Sequence, residues 1–180
     1  MHPAAAFAAP EREGLLGWLA ENPFLAVFAS TPDGLRVAHA PAIVRQAGDE
    51  VVLDFHLSRN NALTAILAAG ADVLAVSQGP DAYVSPDWYA RPDQVPTWNY
   101  VAVEAEGPVS PLDEAGLVAL LDALSAQAEA RLAPKPPWTR DKMSPGRFEA
   151  MLGAITGFRL RVRRLGGTVE TSRQKPPAGR

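Results

Sequence analysis

Apolar and polar positions recur along this chain with two different periods, and the switch between them marks its elements. From Glu11 to Glu21, Leu15, Leu16, Trp18 and Leu19 recur at helical spacing behind the acidic Glu11 and Glu13, which predicts a short helix. Asn22-Pro23 ends it, because a residue before proline avoids the α region. Phe24 to Ser30 then reads as a buried strand. Pro32-Asp33-Gly34 is a turn signal, so Leu35 to Val44 returns as a hairpin partner. Gly48-Asp49 is the next turn and Val51 to Leu57 the next strand. Asn60 or Asn61 is expected to cap a helix running to Ala69, with Leu63, Ile66 and Leu67 on one face and Gly70 at its end. Asp72 to Gln78 and Ala82 to Ser85 read as strands on either side of a Gly-Pro break. Thr97 to Gly107 is a longer strand, in which Val101, Val103 and Ala105 alternate with Ala102, Glu104 and Glu106.

The second half has the clearest helix. From Asp113, a candidate N-cap, to Arg131, Leu117, Leu120, Leu121 and Leu124 form an apolar stripe. Pro134 to Trp138 reads as a rigid linker. Ser144 is expected to cap a short helix with Pro145 in its first turn, carrying Phe148, Met151 and Leu152. Phe158, Leu160 and Val162 alternate with Arg159, Arg161 and Arg163, a strand with one inward and one basic face. Gly166-Gly167 reads as a turn. The region 171–180 is expected to be a flexible tail behind a single domain over 1–170. Several antiparallel strands with helices at particular crossings imply a barrel in an α+β setting.

Charge refines this picture. Residues 1–146 carry 9 Lys+Arg against 18 Asp+Glu, and residues 147–180 carry 8 against 2, within a net charge of −3. The acidic body works against tight DNA binding, and the basic end reads as a solvated strand face and a frayed tail. The chain has no cysteine, which removes disulfides, thiolate nucleophiles and Cys-ligated metals. With no secretory signal at the first residues and no apolar run of membrane-spanning length, a cytoplasmic protein without membrane contact is expected.

Candidate chemistry is sparse. There is no Gly-x-Ser-x-Gly, no Gly-x-Gly-x-x-Gly and no Walker-type motif. No catalytic residue can be assigned. His39 and His56 lie on predicted strands without a carboxylate or third histidine at ligand spacing, so no metal site is assigned. At Ser58-Arg59-Asn60-Asn61 a strand gives way to a predicted helix. Such a crossing suits a phosphate through Arg59, Ser58 and Asn61, and equally suits a plain helix cap. Gly79 to Tyr100 gathers Trp88, Trp98 and all three tyrosines among prolines. Rings so placed stack on a planar ligand or fill an interface, and by composition the stretch reads as a stiff loop.

These residues together resemble the PaiB-type FMN-binding family, often called negative transcriptional regulators. The resemblance runs from His2-Pro3 and Phe7 through Asn22-Pro23-Phe24, Asp33-Gly34, His39-Ala40-Pro41 and His56-Leu57-Ser58-Arg59-Asn60-Asn61. It is strongest at Gly79-Pro80-Asp81-Ala82-Tyr83-Val84-Ser85-Pro86-Asp87-Trp88-Tyr89 with Val95-Pro96-Thr97-Trp98-Asn99-Tyr100, and it reaches Gly157-Phe158. The terminal segment departs, retaining only Ser172 of the family's closing motif, and Asn61 lacks the proline that often follows. The resemblance implies a flavin-reductase-like split β-barrel with peripheral helices, a homodimer, and FMN in a groove between subunits. It places the phosphate at Ser58, Arg59 and Asn61, and the ring system near Trp88, Tyr89, Trp98 or Tyr100, which either the same or the second subunit supplies, with His39 and His56 near the groove. A regulator or redox-responsive sensor is the function implied. The alternatives are a flavin-, haem- or deazaflavin-dependent oxidoreductase on the same barrel, in which the cofactor carries the chemistry, and a cofactor-free dimer. Trp88 and Trp98 remain open between ligand stacking and interface core. DNA enters only through the family's label.

Overall fold

The computed structural model describes residues 11–89 and 93–170. The His2-Pro3 and Phe7 positions, Pro92 and the tail 171–180 lie outside them. Hydrophobic alternation sets the architecture. β1 (Phe24–Thr31) and β2 (Gly34–Ala47) form a hairpin whose turn needs the positive φ of Gly34. β2 then changes partner. It pairs β1 up to Pro41 and β3 (Glu50–Ser58) from Ala42 onward. β3 pairs β6 (Ile155–Arg161), β6 pairs the end of β5 (Thr97–Pro111), β5 pairs β4 (Asp72–Val84), and β4 pairs β1. The ring therefore closes, and every pairing is antiparallel. β7 (Arg164–Glu170) lies along the first part of β5, from Tyr100 to Glu106.

The inward row of each strand fills the barrel. Leu25, Val27 and Ala29 meet Ala38, Ala40 and Ala42, and the small β2 residues leave room for Phe55 and Phe158, whose rings tilt together at 5.7 Å. Gly107 marks the place where β5 passes from β7 to β6. A Cβ there would stand 1.9 Å from the Arg161 carbonyl oxygen, so only glycine lets the two backbones cross.

The helices close and cover the ring. α1 (Arg12–Glu21) sends the Trp18 Nε1–H to Ser77 Oγ at 3.1 Å, and the Ser77 hydroxyl donates to the Asn22 carbonyl at 2.9 Å. The Trp18 ring lies over Gly79, whose Cβ would meet it at 2.5 Å. α2 (Thr64–Ala68) buries Leu67 against the barrel. α3 (Glu114–Ala130) begins at Asp113, whose carboxylate accepts from Gly116 N–H at 2.7 Å as the sequence implies, and packs on β2, β3 and β6. α4 (Arg147–Leu152) follows it. No described helix is long and apolar enough to cross a membrane.

Four local expectations are corrected. α2 starts at Thr64, because Asn61 spends its side chain on a turn, accepting from Leu63 N–H at 2.9 Å. α4 starts at Arg147 behind Gly146 in the left-handed region, two residues beyond Pro145. β4 runs unbroken through Gly79-Pro80, with only a register shift there. Gly166 and Gly167 are buried inside β7, opposite Glu104 and Val103, and form no turn.

Candidate functional site: the β3–α2 crossing and the aromatic arm

The crossing after β3 is pinned by local hydrogen bonds. Arg59 N–H donates to the Ala154 carbonyl at 2.9 Å, Ser58 Oγ accepts from Asn60 N–H at 3.3 Å, and Thr64 Oγ1 donates to the Ser58 carbonyl at 2.7 Å. Asn61 is held in its own turn. What this frame presents outward is the Arg59 side chain, exposed and with its guanidinium free of hydrogen bonds and ion pairs among the described residues. Its cavity, about 350 Å³, is also lined by Asp113, Glu114 and Glu149. An unpaired guanidinium fits a phosphate. The neighbouring carboxylates oppose one, although Asp113 is committed to capping α3. The five-residue α2 adds no helix dipole of consequence, so the charge for an anion rests on Arg59.

The basic strand expected to be solvated is exposed, and its arginines are ion-paired as well. Arg159 binds Asp54, Arg161 faces Glu50 at 3.7 Å, Arg163 binds Asp72 at 2.6 Å, and Arg164 binds Glu106 at 2.6 Å. Asp54, only 2% exposed, also receives Arg45 at 3.1 Å. Sequence reading missed this pairing. Its signal was a lone carboxylate in the otherwise apolar run Val51 to Phe55.

The two histidines occupy different settings. His56 points outward from β3 between the core residues Phe55 and Leu57, and α3 covers it. Burial lowers its pKa, and its Nδ1 is buried with no hydrogen-bond partner. Pro41 of β2 lines the same cavity, about 620 Å³. His39, two residues earlier on β2, is exposed and stacks on Phe24 with centroids 6.2 Å apart.

The aromatic stretch forms an arm. Tyr83 stands opposite Trp98 in the β4–β5 register, and the two rings meet edge to face at 6.0 Å. Ser85 Oγ accepts from Asp87 N–H at 3.3 Å and sets a single 3₁₀ turn, Pro86–Trp88. Trp88 is 67% and Trp98 56% exposed, while Tyr89 and Tyr100 are half-buried. The arm is at the start of β5. The Arg59 crossing is near its other end, where Pro111 pairs Phe158 and Ser58 pairs Ile155. Along the strand the two are roughly 40 Å apart at about 3.3 Å per residue. The chain thus gathers His56, Ser58, Arg59 and Asn61 at one end of β3, with His39 on β2. It leaves Trp88, Tyr89, Trp98 and Tyr100 on the distant arm.

One further surface escaped the sequence reading. The outward positions of the hairpin are apolar and open: Phe24, Phe28, Leu35 and Val37. The signal was present, since β1 reads apolar on both parities, the mark of a strand covered on both faces.

The ring of antiparallel strands with its helices is an α+β split barrel, the fold of known flavin-binding proteins. The chain superposes on the flavocytochrome Anf3 from Azotobacter vinelandii with TM-score 0.63 at 17% identity, covering 95% of this chain and 72% of that one. It superposes on an FAD and heme binding protein from Mycobacterium smegmatis with TM-score 0.59 at 20% identity, covering 91% and 73%. At these identities the likeness concerns the fold. Sequence carries the family: residues 1–164 match the model described as "Putative FMN-binding domain", and the chain belongs to that family. It is 33% identical over 157 residues to the Protease synthase and sporulation protein PAI 2 of Bacillus subtilis (strain 168), covering 87% of this chain and 74% of that protein.

Proposed function

We propose that this chain binds FMN in a groove between two copies of itself, and acts as a PaiB-type regulator or redox-responsive sensor. The observation that carries the reading is Arg59. It is an exposed guanidinium without a partner among the described residues, at the family's own motif, whereas each arginine of β6 and β7 is ion-paired. Arg59 would hold the phosphate, with the Ser58 hydroxyl and the Asn61 amide beside it. FMN, when bound, supplies the redox chemistry of its ring system.

The strand distance between crossing and arm supports the dimer. The arm and the crossing lie at opposite ends of β5, so a second copy offers its own Trp88, Tyr89, Trp98 and Tyr100 to a ligand held at Arg59. The open apolar face of Phe24, Phe28, Leu35 and Val37 gives such a copy a surface to cover. His39, stacked on Phe24, then lies at the edge of the joint, and His56 behind it. The regulatory role rests on the family's naming and on a relative named for protease synthesis and sporulation. Direct DNA contact has little support, because Arg159, Arg161, Arg163 and Arg164 are paired with Asp54, Glu50, Asp72 and Glu106. A cytoplasmic setting accords with the cysteine-free sequence.

The test is an FMN titration followed by tryptophan quenching, in wild type and Arg59→Ala, with molecular mass measured alongside. Losing one charge-assisted contact, typically worth about 1.5–3 kcal/mol, weakens FMN by roughly tenfold or more while the dimer persists. A wild-type protein that shows no quenching sinks the cofactor reading, and an unchanged affinity in the variant sinks the Arg59 assignment. Anaerobic mixing of the FMN-loaded protein with NAD(P)H then separates a sensor from a reductase, which alone bleaches.

A further inference from the structure

Away from the crossing and the arm, the outer face of β2, β3 and β6 carries a groove walled by arginine. The register lays two rows across it. Arg45, Val52 and Arg161 stand abreast, and so do Ile43, Asp54 and Arg159. The alternate positions Val51, Leu53 and Phe55 fill the barrel, so both rows point outward. Val52 and Asp54 are nonetheless buried, because the arginine stems lie over them. The groove, about 540 Å³, is lined by Arg45, Arg159 and Arg161 with Gln46, Glu50 and Val52. It lies seven residues along β3 from Arg59, roughly 23 Å at about 3.3 Å per residue.

The ion pairs here leave donors over. Asp54 takes Arg45 through Nε alone, and Arg159 through Nε and Nη2. Both Nη groups of Arg45 and Nη1 of Arg159 stay open, on side chains that the shared carboxylate already holds in place. Arg161 stands 3.7 Å from Glu50, beyond hydrogen-bonding reach, and both are well exposed. Three guanidiniums thus face two carboxylates, which leaves one positive charge (3 − 2 = 1).

We propose that this groove binds a phosphate group, free or as the end of a phosphate monoester. Arg45 and Arg161 flank the apolar Val52 from opposite sides, about 10 Å apart at Cα by two strand spacings. Arg159 stands in the next row. Guanidinium forks match the oxygens of phosphate and carboxylate alike. The direction of approach decides between them. Forks from three strand positions suit a tetrahedral ion with oxygens on several sides, whereas a planar carboxylate is filled by two arginines, as Asp54 is here. A single excess charge holds one small anion and is too little for a nucleic-acid backbone.

The probe is inorganic phosphate, titrated at constant ionic strength into full-length Arg59→Ala protein, in which the crossing does not compete. Arginine Nε–H resonances report the site. Those of Arg45, Arg159 and Arg161 should move together and saturate, and acetate should leave them in place. Arg161→Gln removes an exposed side chain whose one charged neighbour is Glu50, so the fold should persist while phosphate weakens by roughly tenfold. Glu50→Gln removes a competing carboxylate and should tighten phosphate about two- to fivefold, a sign that damage to the fold does not produce. Equal affinity for glycerol phosphate would extend the site to monoesters, and a weaker ester would assign it to the free ion. Equal movement with acetate, unchanged affinity in Arg161→Gln, or weaker binding in Glu50→Gln would each overturn the proposal. FMN binding should survive Arg161→Gln. Its loss there, with Arg59→Ala still binding, would move the flavin phosphate to this groove and overturn the separation of the two sites.

Discussion

Arg159 grips Asp54 across the β3–β6 register with two hydrogen bonds, Nε to Oδ1 at 2.7 Å and Nη2 to Oδ2 at 2.8 Å. The carboxylate is buried and the guanidinium only partly so, and the bond raises the Arg159 pKa further. Arg45 takes the remaining side of the same carboxylate. A half-exposed arginine tolerates loss of its partner by turning to water, which limits the damage. Asp54→Asn should therefore cost about 2 kcal/mol, below the ~3–5 kcal/mol for breaking a fully buried pair. For a chain of this length that lowers the melting temperature by roughly 4–8 °C. An unchanged midpoint would mean that the pair contributes no net stability.

The fold was largely legible because its information is local. Period-2 alternation marked β5 and β6, an apolar run marked β1, Pro32-Asp33-Gly34 and Gly48-Asp49 marked the turns that bound β2 and β3, and Asp113 marked α3. What was not legible depends on distant partners. Arg159 reads as solvated in sequence, and its carboxylate lies 105 residues away. Gly166-Gly167 carries no side chain to show that β5 recruits it into a strand. Asn61 looks like a helix cap, and only the backbone path shows that it caps the preceding turn. The candidate site was half legible. The Arg59 motif and the aromatic stretch could be read, but not their separation along β5.

Two glycines should respond in opposite directions to alanine. At Gly107 the new methyl group would collide with the Arg161 carbonyl at 1.9 Å, which is backbone and cannot swing aside. Gly107→Ala should cost about 3 kcal/mol or more, at or beyond the top of the overpacking range. At Gly17, inside α1, nothing lies within 4 Å of the added Cβ. Gly17→Ala should stabilise by about 0.5–1 kcal/mol through helix propensity. Chemical denaturation of the two variants beside wild type checks both. A tolerated Gly107→Ala would refute the close crossing of β5 and β6.

The open face of the β1–β2 hairpin makes a second-copy interface testable without touching the core. Leu35 is 73% and Val37 44% exposed, so charging them should leave the fold intact. In a dimer that covers them, Leu35→Asp with Val37→Asp places buried, unpaired carboxylates on the joint. That arrangement should shift the assembly to monomer by sedimentation, with circular dichroism unchanged. FMN affinity should fall in step, because the ring would lose the aromatic arm of the second copy. A dimer of unchanged strength would move the interface elsewhere.

His56 supplies a pH dependence whose sign follows from its burial. The folded-state pKa lies below the ordinary histidine value of about 6.5, because desolvation penalises the imidazolium. The unfolded chain therefore binds the proton more readily. As pH falls below about 6.5, protons stabilise the unfolded state first, and stability declines until the folded-state pKa is reached; below it the loss is constant. Above about 6.5 the group contributes no pH dependence. His56→Gln, which cannot titrate, should flatten this part of the stability–pH curve and leave the remaining acid response, set by the carboxylates. Equilibrium unfolding of wild type and variant between pH values on either side of the histidine range checks it. Parallel curves would show that His56 reaches solvent as freely in the folded chain as in the unfolded one.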